Sequence, residues 1–160
     1  MKRLSLLRHA KAEPDSSGGD FNRSLNETGR NAAVRIGDEI LDLGIQFDQV
    51  MASPARRVVE TVAGLKDVAP IFDHRIYDAS CEQLLDIVQS VEDGVGSLLI
   101  VGHNPGIALL TLLLTSDMRV LTDGFSTAAF AQVDLAIDRW HEAGRDKSQL
   151  TRFIDPKKLD

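Results

Sequence analysis

Residues 97–106 read Ser-Leu-Leu-Ile-Val-Gly-His-Asn-Pro-Gly, and this stretch decides the fold class. Ser97 to Val101 is an unbroken apolar run, the pattern of a short strand buried on both faces. Asn104-Pro105 then opens a helix: asparagine is a good N-cap, and proline suits the first helical position. A buried strand running into a helix is the repeating unit of a parallel sheet, because parallel neighbours need a long crossover.

Outward from this stretch the same succession recurs. Leu4 to Leu7 reads as a buried strand. Asn26 to Leu43 carries Ala33, Ile36, Ile40 and Leu43 at helical spacing, and Gly44 is a C-cap candidate. Phe47 to Ala52 reads as a strand, and Ser53-Pro54 repeats the device of a cap followed by proline. Pro70 to Phe72 is a third short strand. Glu82 to Val91 reads as a helix with Leu84, Leu85, Ile87 and Val88 near one face. Ala128 to Leu135 alternates as a last strand. Asp15 to Asp20 reads as a glycine-rich surface loop, and the charged tail from Arg145 onward is expected to fray. The expected architecture is α/β: three layers, a mostly parallel central sheet with helices on both faces.

The 160 residues predict one domain spanning 1–160. A net charge of −6 argues against nucleic-acid partners and anionic membranes. The 43% hydrophobic content fits a globule. One cysteine, Cys81, excludes an internal disulfide and a thiolate zinc site. The most apolar stretch, Ile107 to Leu114, is far too short to span a membrane. Arg8 and His9 interrupt the N-terminal apolar run, so no signal peptide is expected and the chain is placed in the cytoplasm.

The chemistry is concentrated where three strands end. The first ends in Arg8-His9, the second in Ser53-Pro54 with Arg57 just beyond, and the late strand in Gly102-His103-Asn104. Ligands of open parallel sheets bind outside the carboxyl ends of the strands, so these residues are expected to converge. Two arginines, two imidazoles and two helix N-termini make an anion site, and phosphate is its natural guest. A neutral imidazole near pH 7 can take a phosphoryl group directly, with arginines stabilising the transition-state charge. No metal or other cofactor is required.

These residues carry a resemblance. Leu6–Glu13 (LLRHAKAE), Asp20–Arg30 (DFNRSLNETGR), Ser53–Thr61 (SPARRVVET) and Leu98–Gly106 (LLIVGHNPG) together resemble the histidine phosphatase superfamily, also called phosphoglycerate-mutase-like. The short chain and its GHNPG segment resemble the SixA-type phosphohistidine phosphatases. The resemblance runs from about Leu4 to about Leu135. It implies that His9 is the nucleophile that becomes phosphohistidine, and that Arg8 and Arg57, rather than Arg56, bind phosphate. By the same resemblance His103 is the second catalytic histidine, and Asp20 and Arg23 match a D-x-x-R-x-L element with Arg23 at the rim. Asn104 joins the phosphate-binding set. Asp78 is the nearest match to a general acid, with Glu82 a distant second. Two positions depart from the pattern: Ala10 stands where the family has glycine, and Ser24 where it usually has proline.

The expected activity is hydrolysis of a phosphoryl group through phospho-His9. The partner is a phosphorylated protein, such as a histidine phosphotransfer domain, or a small phosphorylated metabolite, and inorganic phosphate is the product. A small-molecule phosphomonoesterase, a phosphoprotein-binding module with weak turnover, and metal-dependent hydrolysis are the rivals. His74, His141 and Cys81 are read as surface or packing residues. The loops Glu13–Asn22 and Asp73–Cys81 are where specificity is expected to reside.

Overall fold

A computed structural model describes residues 1–145 and 148–159. Six strands form one sheet: β1 (Lys2–Arg8), β2 (Gln49–Ala52), β3 (Pro70–Phe72), β4 (Ser97–Gly102), β5 (Phe130–Leu135) and β6 (Ser148–Ile154). Their order is β3-β2-β4-β1-β5-β6. The first four run parallel, and β5 is antiparallel to both β1 and β6. Among the described residues, five α-helices accompany them: α1 (Glu27–Asp42), α2 (Arg56–Ala63), α3 (Cys81–Gln89), α4 (Gly106–Thr115) and the short α5 (Arg119–Thr122).

Strand alternation divides the core into two layers. Leu4 and Leu6 of β1 and Leu98 and Ile100 of β4 pack with Leu84 and Val88 of α3 and Leu110 and Leu114 of α4. Leu7, Leu99 and Val101 face the other way, against Ala33, Ile36 and Ile40 of α1 and Val58 and Val62 of α2. The mostly parallel, three-layer expectation therefore holds. The layer beneath α1 and α2 is thin where the two helices meet. A β-carbon on Gly37 would collide with the carbonyl oxygen of Gly64, and one on Gly64 would collide with the backbone of Ala33.

Three local expectations are corrected. The helix after Ser53-Pro54 starts at Arg56, with Ala55 rather than Ser53 at its cap position. Ser53 Oγ accepts from the Ala55 N–H at 3.2 Å, which closes a tight turn ahead of the helix. The helix after Asn104-Pro105 starts at Gly106 with Pro105 as its cap residue, though Asn104 Oδ1 still reaches the Ala108 N–H at 3.2 Å. The tail does not fray along its length: Ser148–Ile154 pairs with β5, Leu150 is buried, and Phe153 sits edge-on to Phe125 at 5.2 Å. Residues 146, 147 and 160 of that tail lie outside the described residues.

The parallel strands β1, β2 and β4 are neighbours and end together, at Arg8, Ala52 and Gly102. His9, Ser53 and His103 each follow directly, so the sheet brings them to one edge. The contact between α1 and α2 holds α2, and with it Arg57, against that edge. Replacing Gly37 with alanine should therefore destabilise the protein by about 1–3 kcal/mol, the cost typical of overpacking a close helix contact. A urea titration would show this as a lower midpoint with an unchanged slope; an unchanged midpoint would mean the helices separate without cost.

Candidate active site

His9, Arg57 and His103 line one cavity of about 530 Å³, together with Arg8, Asp20, Arg23, Tyr77, Asp78 and Asn104. All the candidate site residues except Glu82 are thus brought together; Glu82 lies in a separate depression beside Cys81 and Pro105. His9, Arg57 and His103 are 8%, 5% and 6% exposed.

Hydrogen bonding settles the form of both imidazoles. His9 Nδ1 lies 2.7 Å from the carbonyl oxygen of Ala10. A carbonyl can only accept, so Nδ1 carries the proton, and in the neutral ring Nε2 keeps its lone pair. Arg57 Nε donates towards that lone pair at 3.4 Å. Arg57 Nη2 lies 3.2 Å from His103 Nδ1, and a guanidinium can only donate, so this nitrogen is unprotonated. His103 Nε2 then carries the proton and donates it to Ser53 Oγ at 2.8 Å.

Electrostatics agrees. Burial lowers the His9 pKa to about 4; the Ala10 carbonyl opposes this, and the charges of Arg57, Arg8 and Arg23 add to it. Burial also lowers that of His103 to about 3, helped by His9 and Arg57. Both rings are neutral at pH 7. Asp20 is the counter-charge. Its Oδ2 accepts from the Tyr77 hydroxyl at 2.7 Å and from Arg57 Nη2 at 3.1 Å, and its Oδ1 accepts from Arg23 Nε at 2.9 Å. The Tyr77 hydrogen bond leads in holding its carboxyl at a pKa of about 2, with Arg23 and Arg57 assisting. Three donors converging on one carboxylate form an anion-binding arrangement.

The supporting contacts come from several elements. The carbonyl of Phe125 accepts from both Arg8 Nη1 at 3.0 Å and Asn104 Nδ2 at 2.9 Å, so Asn104 serves to anchor the loop. Thr61 Oγ1 accepts from the Ala10 N–H at 2.9 Å and donates to the Arg57 carbonyl at 2.6 Å, which ties His9 to α2. The Ala10 methyl is buried in the core and lies outside the lining of the cavity. Arg56 points away and pairs with Glu60 at 3.6 Å. Asp78 is exposed at the cavity mouth, with a left-handed φ of 54°. His74 stacks on Phe21 outside the cavity, and His141 follows Trp140, whose ring donates to Val95 just ahead of β4, at the opposite end of the sheet. Among the described residues, no group of three or more His, Cys, Asp and Glu could hold a metal ion, and no helix is long and apolar enough to cross a membrane.

The model of the histidine phosphatase superfamily (branch 1) matches residues 4–82. An uncharacterized protein of Mycobacterium tuberculosis is 31% identical over 159 residues, covering 94% of this chain and all of the relative. A protein assigned as the phosphohistidine phosphatase SixA of Agrobacterium tumefaciens superposes with a TM-score of 0.84 at 28% identity, over 97% of this chain and 98% of that one. The protein histidine phosphatase SixA in complex with tungstate shares the fold, with a TM-score of 0.80 at 18% identity over 99% of both chains.

The chain belongs to the histidine phosphatase superfamily. Its fold is that of the SixA-type members, and membership supports a hydrolase that acts on phosphorylated substrates. For a histidine phosphatase, the sequence reading missed three contributors. Tyr77 is the only tyrosine in the chain and sits beside Asp78, which drew attention instead. Its ring meets His103 edge-on at 5.5 Å. Ser53 has the sequence position of a helix cap but is the hydrogen-bond partner of His103. Thr61 closes the motif that begins at Ser53, but nothing in its pattern says that it bonds to Ala10.

The lowered values have a consequence for pH. A histidine with an unfolded pKa near 6.5 and a lower folded one is neutral in the native state while the unfolded chain binds a proton. His9 and His103 therefore contribute stability that is complete above about pH 6.5 and declines as pH falls towards 4. A ¹⁵N NMR titration should find His9 in the Nδ1–H form down to about pH 4; a midpoint near 6.5 would contradict the geometry.

Proposed function

We propose that this histidine phosphatase hydrolyses protein-borne phosphohistidine through a phosphohistidine intermediate on His9, with arginines in place of a metal. The tautomer of His9 carries the reading. With Nδ1–H held by the Ala10 carbonyl, the Nε2 lone pair faces the cavity beside Arg57, which is the state a nucleophile needs.

The steps follow from the residues. The substrate phosphoryl oxygens compete with the Asp20 carboxylate for the donors of Arg57 and Arg23, and Arg8 adds positive charge. His9 Nε2 attacks phosphorus; a bond from phosphorus to Nε2 forms and the bond to the substrate imidazole breaks. The leaving imidazole takes up a proton, and because its conjugate acid has a pKa of about 6.5, it leaves without a strong acid. Asp78 at the cavity mouth is the candidate proton donor for more demanding leaving groups. Water then attacks phospho-His9: its oxygen bonds to phosphorus, the bond from phosphorus to Nε2 breaks, a proton passes to solvent, and inorganic phosphate departs with the Nε2 lone pair restored. His103 is neutral with its proton on Nε2, and it becomes a second donor to the phosphoryl group when Nδ1 takes a proton from solvent. Arginines aimed at the equatorial oxygens supply the charge stabilisation that phosphoryl transfer requires.

The substrate class has its own support. The Agrobacterium tumefaciens relative is assigned as a phosphohistidine phosphatase, and the two chains cover one another almost completely.

His9→Ala should lower turnover roughly 10³-fold or more, and Arg57→Ala by about 10²- to 10³-fold. Incubation with a labelled phosphodonor should trap an acid-labile, alkali-stable adduct on the wild type and none on His9→Ala. Turnover should survive EDTA; its loss would assign the reaction to a metal. Faster hydrolysis of small phosphoesters than of phosphohistidine proteins would overturn the substrate assignment.

A further inference from the structure

A second groove, of about 690 Å³, adjoins the catalytic cavity and shares Arg8, Lys11 and Thr127 with it. It runs along the first turns of α1 to Ser126 and to Pro156-Lys157. Its charged lining consists of Arg8, Lys11, Arg35 and Lys157, with no aspartate or glutamate. Seven other cations, Arg3, Arg23, Arg56, Arg57, Lys66, Arg75 and Arg119, each meet a carboxylate within 4.0 Å. None of the four groove cations does so among the described residues. In a chain of net charge −6, four cations without a carboxylate partner among the described residues thus line one groove beside the catalytic cavity, and no acid lines it with them. Like charges held together repel, and a bound anion relieves that repulsion.

We infer that this groove is a second anion subsite, which holds acidic side chains flanking the phosphorylated histidine of a polypeptide substrate. The inference rests on the reading of the adjoining cavity as the phosphoryl-transfer site. Two features favour carboxylates on a polypeptide over the second phosphate of a small molecule. Lys11, Arg35 and Lys157 are exposed, unlike the buried, multiply bonded Arg57 that faces the phosphoryl group. Exposed cations suit dispersed carboxylates, whereas a single phosphate is better held by a convergent, buried guanidinium. The lining also includes Ala32, Phe125 and Pro156, apolar surface suited to the aliphatic parts of a peptide.

The test pairs two phosphohistidine peptides of equal length, one flanked by Asp and Glu, the other by Ser and Asn. The wild type should prefer the acidic peptide about tenfold in kcat/KM at low salt, and the preference should shrink as salt rises. The double variant Arg35→Glu/Lys157→Glu should lose the preference through KM, with turnover of p-nitrophenyl phosphate unchanged. Absence of a preference in the wild type, or its persistence in the double variant, would overturn the subsite. A stronger preference for small bisphosphates than for acidic peptides would overturn the polypeptide assignment. Calorimetry with an unphosphorylated Glu-rich peptide and His9→Ala protein separates the two readings. Binding that weakens about tenfold when Arg35→Glu and Lys157→Glu are added supports the groove even if His9 proves not to be the nucleophile. No change in that binding would count against the groove alone.

Discussion

The site is organised around the buried guanidinium of Arg57. A guanidinium offers five N–H donors and no acceptor, and it stays charged. Arg57 directs these donors to His9, His103 and both the carbonyl and carboxylate of Asp20. Each imidazole nitrogen facing it must therefore be unprotonated. One arginine thereby exposes the lone pair of His9 and fixes the tautomer of His103, while its charge helps to keep both rings neutral.

Such a charge is tolerable in the interior only with a counter-charge and full hydrogen bonding. Asp20 supplies the first, and its bonds to Arg23 and Tyr77 hold it in place. The arrangement is well suited to exchange: a carboxylate and a phosphoryl group are both oxygen acceptors, so an incoming phosphate meets donors already aimed. The site is preorganised by the sheet edge, by Thr61 tying Ala10 to α2, and by the carbonyl of Phe125 gripping Arg8 and Asn104. None of this involves the chain's net charge. An acidic protein carries a local reversal of sign, from Arg23 and Arg57 in the cavity, through Arg8 and Lys11, which it shares with the groove, to Arg35 in the groove alone.

Much of the fold was legible because its strands are short apolar runs separated by amphipathic helices. Leu98 to Val101 could only be a buried strand, and Ile36 and Ile40 could only face a core. What escaped was decided by partners distant in sequence. Ser53 has the look of a helix cap, yet its oxygen is engaged by the imidazole of a residue fifty positions away. The stretch from Ser148 to Ile154 is polar enough to read as a loose tail, yet β5 offers an unpaired antiparallel edge and Phe125 a surface for Phe153. Tyr77 carries no local signal, because its role lies in meeting Asp20, fifty-seven positions away.

The candidate site residues could be named from sequence alone: His9, Arg8, Arg57 and His103 lie at or just beyond strand ends, and strand ends of a parallel sheet share an edge. Arg57 could even be separated from Arg56 by its place in the Ser-Pro-x-x-Arg motif. Only the tertiary structure decided their protonation, their counter-ion and the neighbouring cationic groove. Which ring nitrogen holds a proton depends on whether a donor or an acceptor lies within about 3 Å. Which cations remain unpaired depends on where every carboxylate comes to rest. Both are properties of distances between segments far apart in the chain, and a one-dimensional pattern does not contain them.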